Sequence, residues 1–457
     1  MRTIERVLPS PLDRRVVSLL QHQGTAGTAA KGSIAAFGAA ALGVVTSFVL
    51  QTQLARALGA TEYGTYVVVL VWMNVLLLLT RVELDIVTTR FVGAYTAVAD
   101  WPRLHGLLRH VPRHVLLRTL VAGALGGVVL FALRGSRFDH FIPAAVMAIP
   151  LSVLTPLLMV RAAALQGFKR VLASQLPAAV LRPGLFLVAV WIVVIMGARL
   201  SPSAAIALNA IATAISLLVA DRYVARSTPA PAVQAPPRNE MREWLRVGYG
   251  FVFISAAQLT LSQSSDVLLV AALLNRTEAA HYSVASQLAM LVAFASTAVM
   301  FIVAPLISEL FARGQIETLR RFTRATITVC MAIAFTLLVA IAAFGRPLLG
   351  IFGSDFRVAY DTLLVLAVSH FISASIGALS GYLMTMTGHE RPAAWMIGGS
   401  ALLNIVLSVP LTLTFGLVGA ATATLIATLV RSLMLSVYLR RNLGVLVLPG
   451  RLSELNV

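Results

Sequence analysis

Long uncharged runs of apolar residues recur along the chain and constrain its fold more than any other feature. A helix needs about 20 such residues to cross the hydrocarbon core of a bilayer, and a spanning backbone must satisfy its hydrogen bonds internally. The runs predict transmembrane helices at 33-54, 64-92, 113-133, 141-165, 172-197, 203-222, 247-273, 280-308, 323-344, 359-386, 393-415 and 418-438. With 58% hydrophobic and only 12% charged residues, a soluble enzyme and a disordered chain are excluded. The expected fold is an all-α polytopic membrane protein with about 12 transmembrane helices.

The basic residues predict the orientation of these helices. The chain has 36 Lys and Arg against 18 Asp and Glu, a net charge of +18. If the N-terminus is inside, most of the basic residues fall in segments on the inner side, as the positive-inside rule requires. Both termini and the segment 226-238 are therefore predicted to be cytoplasmic. Because topology accounts for the charge, no nucleic-acid partner is expected.

The order of the spans predicts two halves of six helices each. Between them lies RSTPAPAVQAPPR (226-238), whose prolines and polarity favour a cytoplasmic linker rather than a continued helix. LGATEYGTY (58-66) matches LNRTEAAHY (274-282), and QGFKR (166-170) matches TGHER (387-391), at nearly constant offsets. Such matches indicate a duplicated unit, with a pseudo-twofold axis along the membrane normal and a cavity between halves.

These features give the following predicted domain organisation. Ser10 and Pro11 can begin a short helix on the cytoplasmic surface, and a solvated tail is the alternative. The predicted segments are an N-terminal cytoplasmic segment (1-32), a first half (33-222), a cytoplasmic linker (223-246), a second half (247-440) and a cytoplasmic tail (441-457).

Cations inside the predicted spans are candidates for binding an anionic substrate, because an ionisable group in hydrocarbon is costly. Arg182 lies near the middle of its span, beside Pro183 and Gly184, which loosen a helix. Arg431 lies in the last span. Arg90 is nearer the inner end of its span, where snorkelling to the interface is the simpler interpretation.

Acidic residues inside the spans are candidates for coupling ions. Arg81 and Asp85 are four residues apart and can pair on one helix face, with Glu83 expected to point elsewhere. That pair could equally serve to lock two helices together. Asp266 lies in the polar stretch QLTLSQSSDVLLV, which suits a hydrated cavity.

Motifs for catalysis and for metal or nucleotide binding are absent from the sequence. Neither a GxGxxG nor a Walker A motif occurs, and Cys330 is the single cysteine, so ATP binding and disulfides are not expected. His110 and His114 lie in a basic cytoplasmic loop and are interpreted as a solvated helix face rather than a metal site. No cofactor is expected apart from a coupling ion.

Several stretches resemble one known family. QLARALGATEYGTY (53-66), Arg90 in TTRFVGAY, SSDVLLVAALLNRTEAAHYSVA (264-285) and APLISELFARGQIETLRRF (304-322) resemble motifs of bacterial polysaccharide and O-antigen flippases. These belong to the multidrug/oligosaccharidyl-lipid/polysaccharide (MOP) exporter superfamily. Asn275 or Ala280 stands where the family usually has a glycine.

The resemblance implies a substrate and a mechanism. An undecaprenyl-pyrophosphate-linked oligosaccharide would move from the inner to the outer leaflet of the bacterial inner membrane by alternating access, without catalysis. Membrane lipids, and the glycosyltransferases and polymerase of polysaccharide synthesis, would be its partners. Substrate-binding residues would be Arg182, Arg81, Arg431 and Arg90, and ion-coupling residues for a proton or sodium would be Asp266, Asp85 and Glu83.

Two alternatives remain. A multidrug exporter of the same superfamily would need acidic residues facing a cationic drug, whereas the predicted interior is net cationic. A glycosyltransferase or polymerase should have a long outer loop with catalytic side chains. The longest predicted outer loop, about 345 to 358, carries only Arg346, Asp355 and Arg357 as charges.

Overall fold

A computed structural model describes residues 25–136, 138–260, 263–312, 315–386 and 390–443. Within them the regular structure is helical and no strand occurs. The helices are α1 (Thr25–Arg81), α2 (Leu84–Ala97), α3 (Trp101–Ala132), α4 (Ile142–Gly167), α5 (Val171–Gln175), α6 (Arg182–Ile195), α7 (Pro202–Ser227), α8 (Ala230–Gln234), α9 (Met241–Thr260), α10 (Gln263–Leu273), α11 (Arg276–Ala312), α12 (Ile316–Gly350), α13 (Tyr360–Ile372), α14 (Ala378–Met386) and α15 (Glu390–Leu443). The surface helix predicted from Ser10 lies outside the described residues.

Each predicted span coincides with helix in this structure. Eight helical stretches of the described residues are long and apolar enough to cross a membrane, which confirms the prediction of an all-α polytopic membrane protein. Helix α15 contains two predicted spans, and α1 contains one span and the first part of the next. They turn at Gly59 (φ 73°) and Gly416 (φ 59°), where a positive φ favours glycine.

The predicted span 64-92 is interrupted rather than continuous. The span 64-92 breaks between α1 and α2, at Val82 and Glu83, whose φ angles are 50° and 51°. In the predicted span 247-273, the residues between α9 and α10, 261 and 262, lie outside the described residues. Two π-helical turns, Leu176–Leu181 and Ser373–Gly377, interrupt further spans. Such turns are rare and often mark functional sites.

Packing divides the described chain into two compact units. The first comprises the chain up to Leu54 and Leu76–Val252, and the second comprises Ala55–Val75 and everything from Phe253 onward. The two halves inferred from duplication have different bounds and stay a prediction.

Each unit has its own hydrophobic core. In the first unit, Trp244 is fully buried and its indole N–H donates to the hydroxyl of Tyr95 at 3.2 Å. In the second unit, the core includes Ile307, Leu383 and the buried Cys330.

The segment between the predicted halves is docked within the first unit. It contains the short helix α8, whose Ala232 is fully buried, and Nδ1 of His105 lies 2.6 Å from the carbonyl oxygen of Ala235. Helix α7 ends at Ser227 and α8 is a separate short helix, so the long helix does not continue through the prolines, and the role of the segment as a linker between halves stays a prediction. Pro231 stands in the first turn of α8, where its missing N–H removes no intrahelical hydrogen bond.

Candidate functional site

Asp266 is the centre of a buried polar cluster in the second unit. Its carboxylate accepts hydrogen bonds from the Tyr282 hydroxyl at 3.0 Å, the Thr424 hydroxyl at 2.9 Å and the Asn404 amide at 3.1 Å. Asp266 is only 5% exposed, and Ser408 donates in turn to the Asn404 side-chain oxygen at 3.3 Å. Three helices, α10, α11 and α15, thus position donors around one carboxylate.

The Asp266 cluster is rich in oxygen atoms and poor in positive charge. Among the described residues, no Lys, Arg or His forms an ion pair with Asp266. An isolated buried carboxylate is costly unless a proton or a cation neutralises it. Carboxylate, hydroxyl and amide oxygens are also the ligands that hard cations prefer. The cluster can therefore hold a proton or a small cation.

The sequence identified Asp266 but missed its partners. Asn404 and Thr424 are polar residues in apolar spans, where a buried polar side chain needs a partner. The need for a partner was the signal that the sequence offered, but it does not identify which residues form the contact.

The second charged cluster lies at the break between α1 and α2, in the first unit. Arg81 pairs with Glu83 at 2.8 Å and with Asp85 at 3.3 Å, so the predicted Arg81–Asp85 pair is present. The prediction that Glu83 points elsewhere is wrong. Because the backbone at Val82 and Glu83 adopts left-handed φ values, Glu83 turns back onto the guanidinium. Two carboxylates therefore offset the charge of Arg81.

The break that positions this cluster is held by neighbouring helices. The Leu79 carbonyl would accept from the Glu83 N–H in an unbroken helix. Here it instead accepts from the guanidinium of Arg118 at 3.3 Å. At Gly248 of α9, an added Cβ would lie 2.5 Å from the Val82 carbonyl oxygen, so α9 approaches the break closely. A positive φ at a β-branched residue is a genuine outlier, and such strain is concentrated at functional sites.

Arg182 lies where the π-turn Leu176–Leu181 passes into α6. Its Nε donates to the side-chain oxygen of Asn209 at 3.2 Å, and Asn209 is buried. The predicted loosening of the helix beside Arg182 is thus visible as a π-turn on its N-terminal side. Asn209 orients the guanidinium and carries no charge that would neutralise it.

Arg431 is a partly buried cation of α15 in the second unit. One terminal nitrogen of its guanidinium donates to the Ser373 hydroxyl at 3.4 Å. No carboxylate pairs with it within the described residues.

Two further arginines serve local packing. Arg90 is exposed and lies over the Phe91 ring, 5.7 Å from its centroid. Arg161 joins α4 to α7 through Asp221 at 2.5 Å.

The turn at Gly59 forms a polar contact inside the second unit. The hydroxyls of Thr61 and Thr277 lie 3.0 Å apart, and Arg276 pairs with Glu62 at 3.7 Å. Thr61 and Thr277 are matched positions of the predicted duplication. The duplication itself stays a prediction.

The described residues contain no group of three His, Cys, Asp or Glu side chains able to hold a metal ion.

Two known protein families match parts of the chain. Residues 29–311 match the family described as "Polysaccharide biosynthesis protein", and residues 252–409 match the family described as "MatE". A 175-residue stretch is 27% identical to the "Probable low-salt glycan biosynthesis flippase Agl15" of Haloferax volcanii, covering 38% of this chain. That stretch spans only 37% of the length of the relative.

Solved structures with a similar fold are transporters. An inward-facing multidrug resistance MATE family transporter of the MOP superfamily aligns with a TM-score of 0.70 at 15% identity, covering 87% of this chain and 94% of that one. An outward-facing structure of such a transporter aligns with a TM-score of 0.59 at 15% identity, covering 90% and 95%. These likenesses show the fold. The family match over more than half of the chain shows that it belongs to the polysaccharide biosynthesis protein family of the MOP exporter superfamily.

Proposed function

We propose that the protein is a flippase that moves a polyprenyl-pyrophosphate-linked oligosaccharide from the inner to the outer leaflet by alternating access. The observation that carries this proposal is Arg431, a cation inside an apolar helix with no carboxylate pairing with it in the described part of the chain. A cation kept in a membrane span without a counter-charge favours an anionic ligand. The family and the name of the Haloferax relative agree with a glycan-linked substrate.

A pyrophosphate head group fits arginine better than lysine. The planar guanidinium can donate two parallel hydrogen bonds to phosphate oxygens. Arg182 and Arg431 are the two arginines proposed for this role. Arg81 is already paired with two carboxylates and Arg90 is exposed, so both are weaker candidates. The polyprenyl tail would stay in lipid throughout.

Coupling to an ion gradient is assigned in this proposal to Asp266. Its buried carboxylate and the surrounding oxygens offer a site for a proton or sodium. Glu83 and Asp85 are less suited, because Arg81 already neutralises them in part.

A multidrug exporter is the second candidate, because the similar solved structures are multidrug transporters. Complementation separates the two functions. Restored surface polysaccharide in a flippase-null strain supports the proposed function. Drug resistance without restored polysaccharide would support the exporter instead.

The membrane orientation is testable with single cysteines. Ala232, in the linker, is fully buried, whereas Val233 is 58% exposed and Val358, in the predicted outer loop, is 69% exposed. Cys330 is 1% exposed and gives little background. In intact cells, a membrane-impermeant maleimide is expected to label Val358→Cys but not Val233→Cys, because 226-238 is proposed to be cytoplasmic. Labelling of Val233→Cys in intact cells would contradict this orientation.

A disulfide between positions 61 and 277, beside the turn at Gly59, tests whether the contact between Thr61 and Thr277 opens during transport. The hydroxyls of Thr61 and Thr277 are 3.0 Å apart, so cysteines at both positions are close enough to bridge. In the double variant Thr61→Cys/Thr277→Cys, oxidation is expected to reduce transport at least about tenfold, and reduction is expected to restore it. Each single variant is the control. Full transport by the oxidised, cross-linked protein would contradict opening at this contact.

A further inference from the structure

The π-turn Ser373–Gly377 lies between α13 and α14 and contacts α15 inside the second unit. Its first residue, Ser373, accepts the hydrogen bond from Arg431, and this donor–acceptor distance of 3.4 Å is near the limit for a hydrogen bond. A guanidinium has five N–H donors. Within the described residues this long bond is the one that Arg431 makes, so most of its donors are available to a ligand.

Other donors surround the same turn. His370, one turn earlier on α13, lies within electrostatic range of Arg431. The hydroxyls of Ser375 and Ser432 are buried, and neither has a hydrogen-bond partner among the described residues. Buried hydroxyls without a partner are rare in folded proteins and call for an explanation such as a ligand or ordered water.

Gly377 lets the π-turn approach α15 closely beside these hydroxyls. A Cβ added at this position would lie 2.8 Å from the Ser432 hydroxyl oxygen and 3.7 Å from the Ser373 hydroxyl oxygen. A side chain at this position would crowd the Ser432 hydroxyl and contact the Ser373 hydroxyl. The hydroxyls of Ser373 and Ser432 therefore lie in one small region beside Gly377. Arg431 belongs to the same region, because its guanidinium donates to the Ser373 hydroxyl.

We propose that this region, formed by Arg431, Ser373, Ser432 and Gly377, binds a phosphate group of the lipid-linked diphosphate. This inference rests on the proposed function and adds a site to it. The donors are a guanidinium and hydroxyls, and no carboxylate is paired with Arg431 in the described residues to repel an anion. The chemistry therefore matches a phosphate oxygen.

The test is binding of farnesyl diphosphate, a short polyprenyl diphosphate, to the purified full-length protein in detergent, measured by calorimetry. Arg431→Gln is expected to weaken binding about tenfold to a hundredfold, because hydrogen bonds to a charged group are lost. Ser373→Ala and Gly377→Ala are expected to weaken it several-fold. Arg440→Gln is the matched control, since Arg440 is an exposed arginine of the same helix. Thermal melting verifies that each variant is folded, and Ser373→Ala provides a mild variant if Arg431→Gln does not fold.

Competition identifies the source of the phosphate. Inorganic pyrophosphate is expected to displace farnesyl diphosphate, whereas phosphatidylglycerol is expected not to displace it. Unchanged binding by folded Arg431→Gln, or equal displacement by phosphatidylglycerol, would overturn the inference.

Complementation separates the failure of this site from the failure of the proposed function. If the wild type restores polysaccharide but Arg431→Gln binds the diphosphate normally, the site is wrong and the function stands. If the wild type binds the diphosphate through Arg431 but restores no polysaccharide, the site stands and the function is wrong.

Discussion

Replacing Asp266 with asparagine is expected to abolish ion-dependent transport while leaving the protein folded. Asparagine has nearly the same shape, and its side-chain oxygen can still accept hydrogen bonds from Tyr282 and Thr424. It cannot take up a proton at physiological pH or neutralise a cation. If Asp266 couples transport to an ion gradient, the variant loses that coupling. Coupling requires the ion to bind one conformation of the protein more tightly than another, and the neutral asparagine does not bind the ion. We expect transport to fall at least about a hundredfold, the effect of losing roughly 3 kcal/mol of coupling.

The measurement is movement of a fluorescent lipid-linked glycan analogue from one leaflet to the other in proteoliposomes. A proton gradient and a sodium gradient are imposed in separate experiments. The wild type is expected to respond to one of the two gradients, and Asp266→Asn to neither. Asp361→Asn is the matched control, since Asp361 is exposed in the same unit. A gradient response retained by Asp266→Asn would exclude this carboxylate as the coupling group.

Asp266→Ala distinguishes the ionic role from a structural one. Alanine would leave the donors of Tyr282, Thr424 and Asn404 without their acceptor. Each unsatisfied buried group costs about 1–3 kcal/mol. We therefore expect Asp266→Ala to lower the melting temperature clearly. Asp266→Asn is expected to lower it less, because only the Asn404 amide loses its acceptor.

The positions of the helices could be predicted because they follow from solvation. A chain crossing hydrocarbon must satisfy its backbone internally, so the length of an apolar run indicates a helix almost by itself. The turns at Gly59 and Gly416 also have a local signal, a glycine between two such runs. These features depend on residues close together in the sequence.

The break at Val82 and Glu83 could not be predicted, because its causes lie elsewhere in the chain. Valine is disfavoured at positive φ, and nothing next to it indicates a turn. The approach of Gly248 and the bond from Arg118 to the Leu79 carbonyl accompany the break. The direction of Glu83 depends on this tertiary packing, so helical periodicity predicted it wrongly.

The partners of the candidate site residues could not be predicted, because they too lie far away in the sequence. Asp266 and Asn404 are 138 residues apart, and Arg182 and Asn209 are 27 apart. The cost of a buried charge predicts that Asp266 and Arg182 need partners. Only the packing of the helices determines which side chains supply them.

Replacing Arg182 with alanine is expected to abolish complementation of a flippase-null strain while the protein remains in the membrane. Asn209 accepts one hydrogen bond from the Nε of Arg182 at 3.2 Å and so orients the planar guanidinium. Arg182→Lys is expected to rescue only in part, because an ammonium keeps the charge but loses the planar pair of donors. We expect surface polysaccharide to fall more than about tenfold in Arg182→Ala, since hydrogen bonds to a charged group are lost.

The level of folded protein decides between this role and the alternatives for Arg182. Arg199→Ala is the matched control, because Arg199 is an exposed arginine just after α6, and it is expected to retain normal polysaccharide. If Arg182 were only a packing residue for Asn209, its removal would leave a buried amide oxygen without its donor and lower the amount of folded protein. If Arg182 snorkels to the interface, the variant would change neither quantity. Normal polysaccharide at normal membrane level would therefore remove Arg182 from the substrate site. Arg431 would then be the stronger remaining candidate, because Arg81 is already neutralised by Glu83 and Asp85.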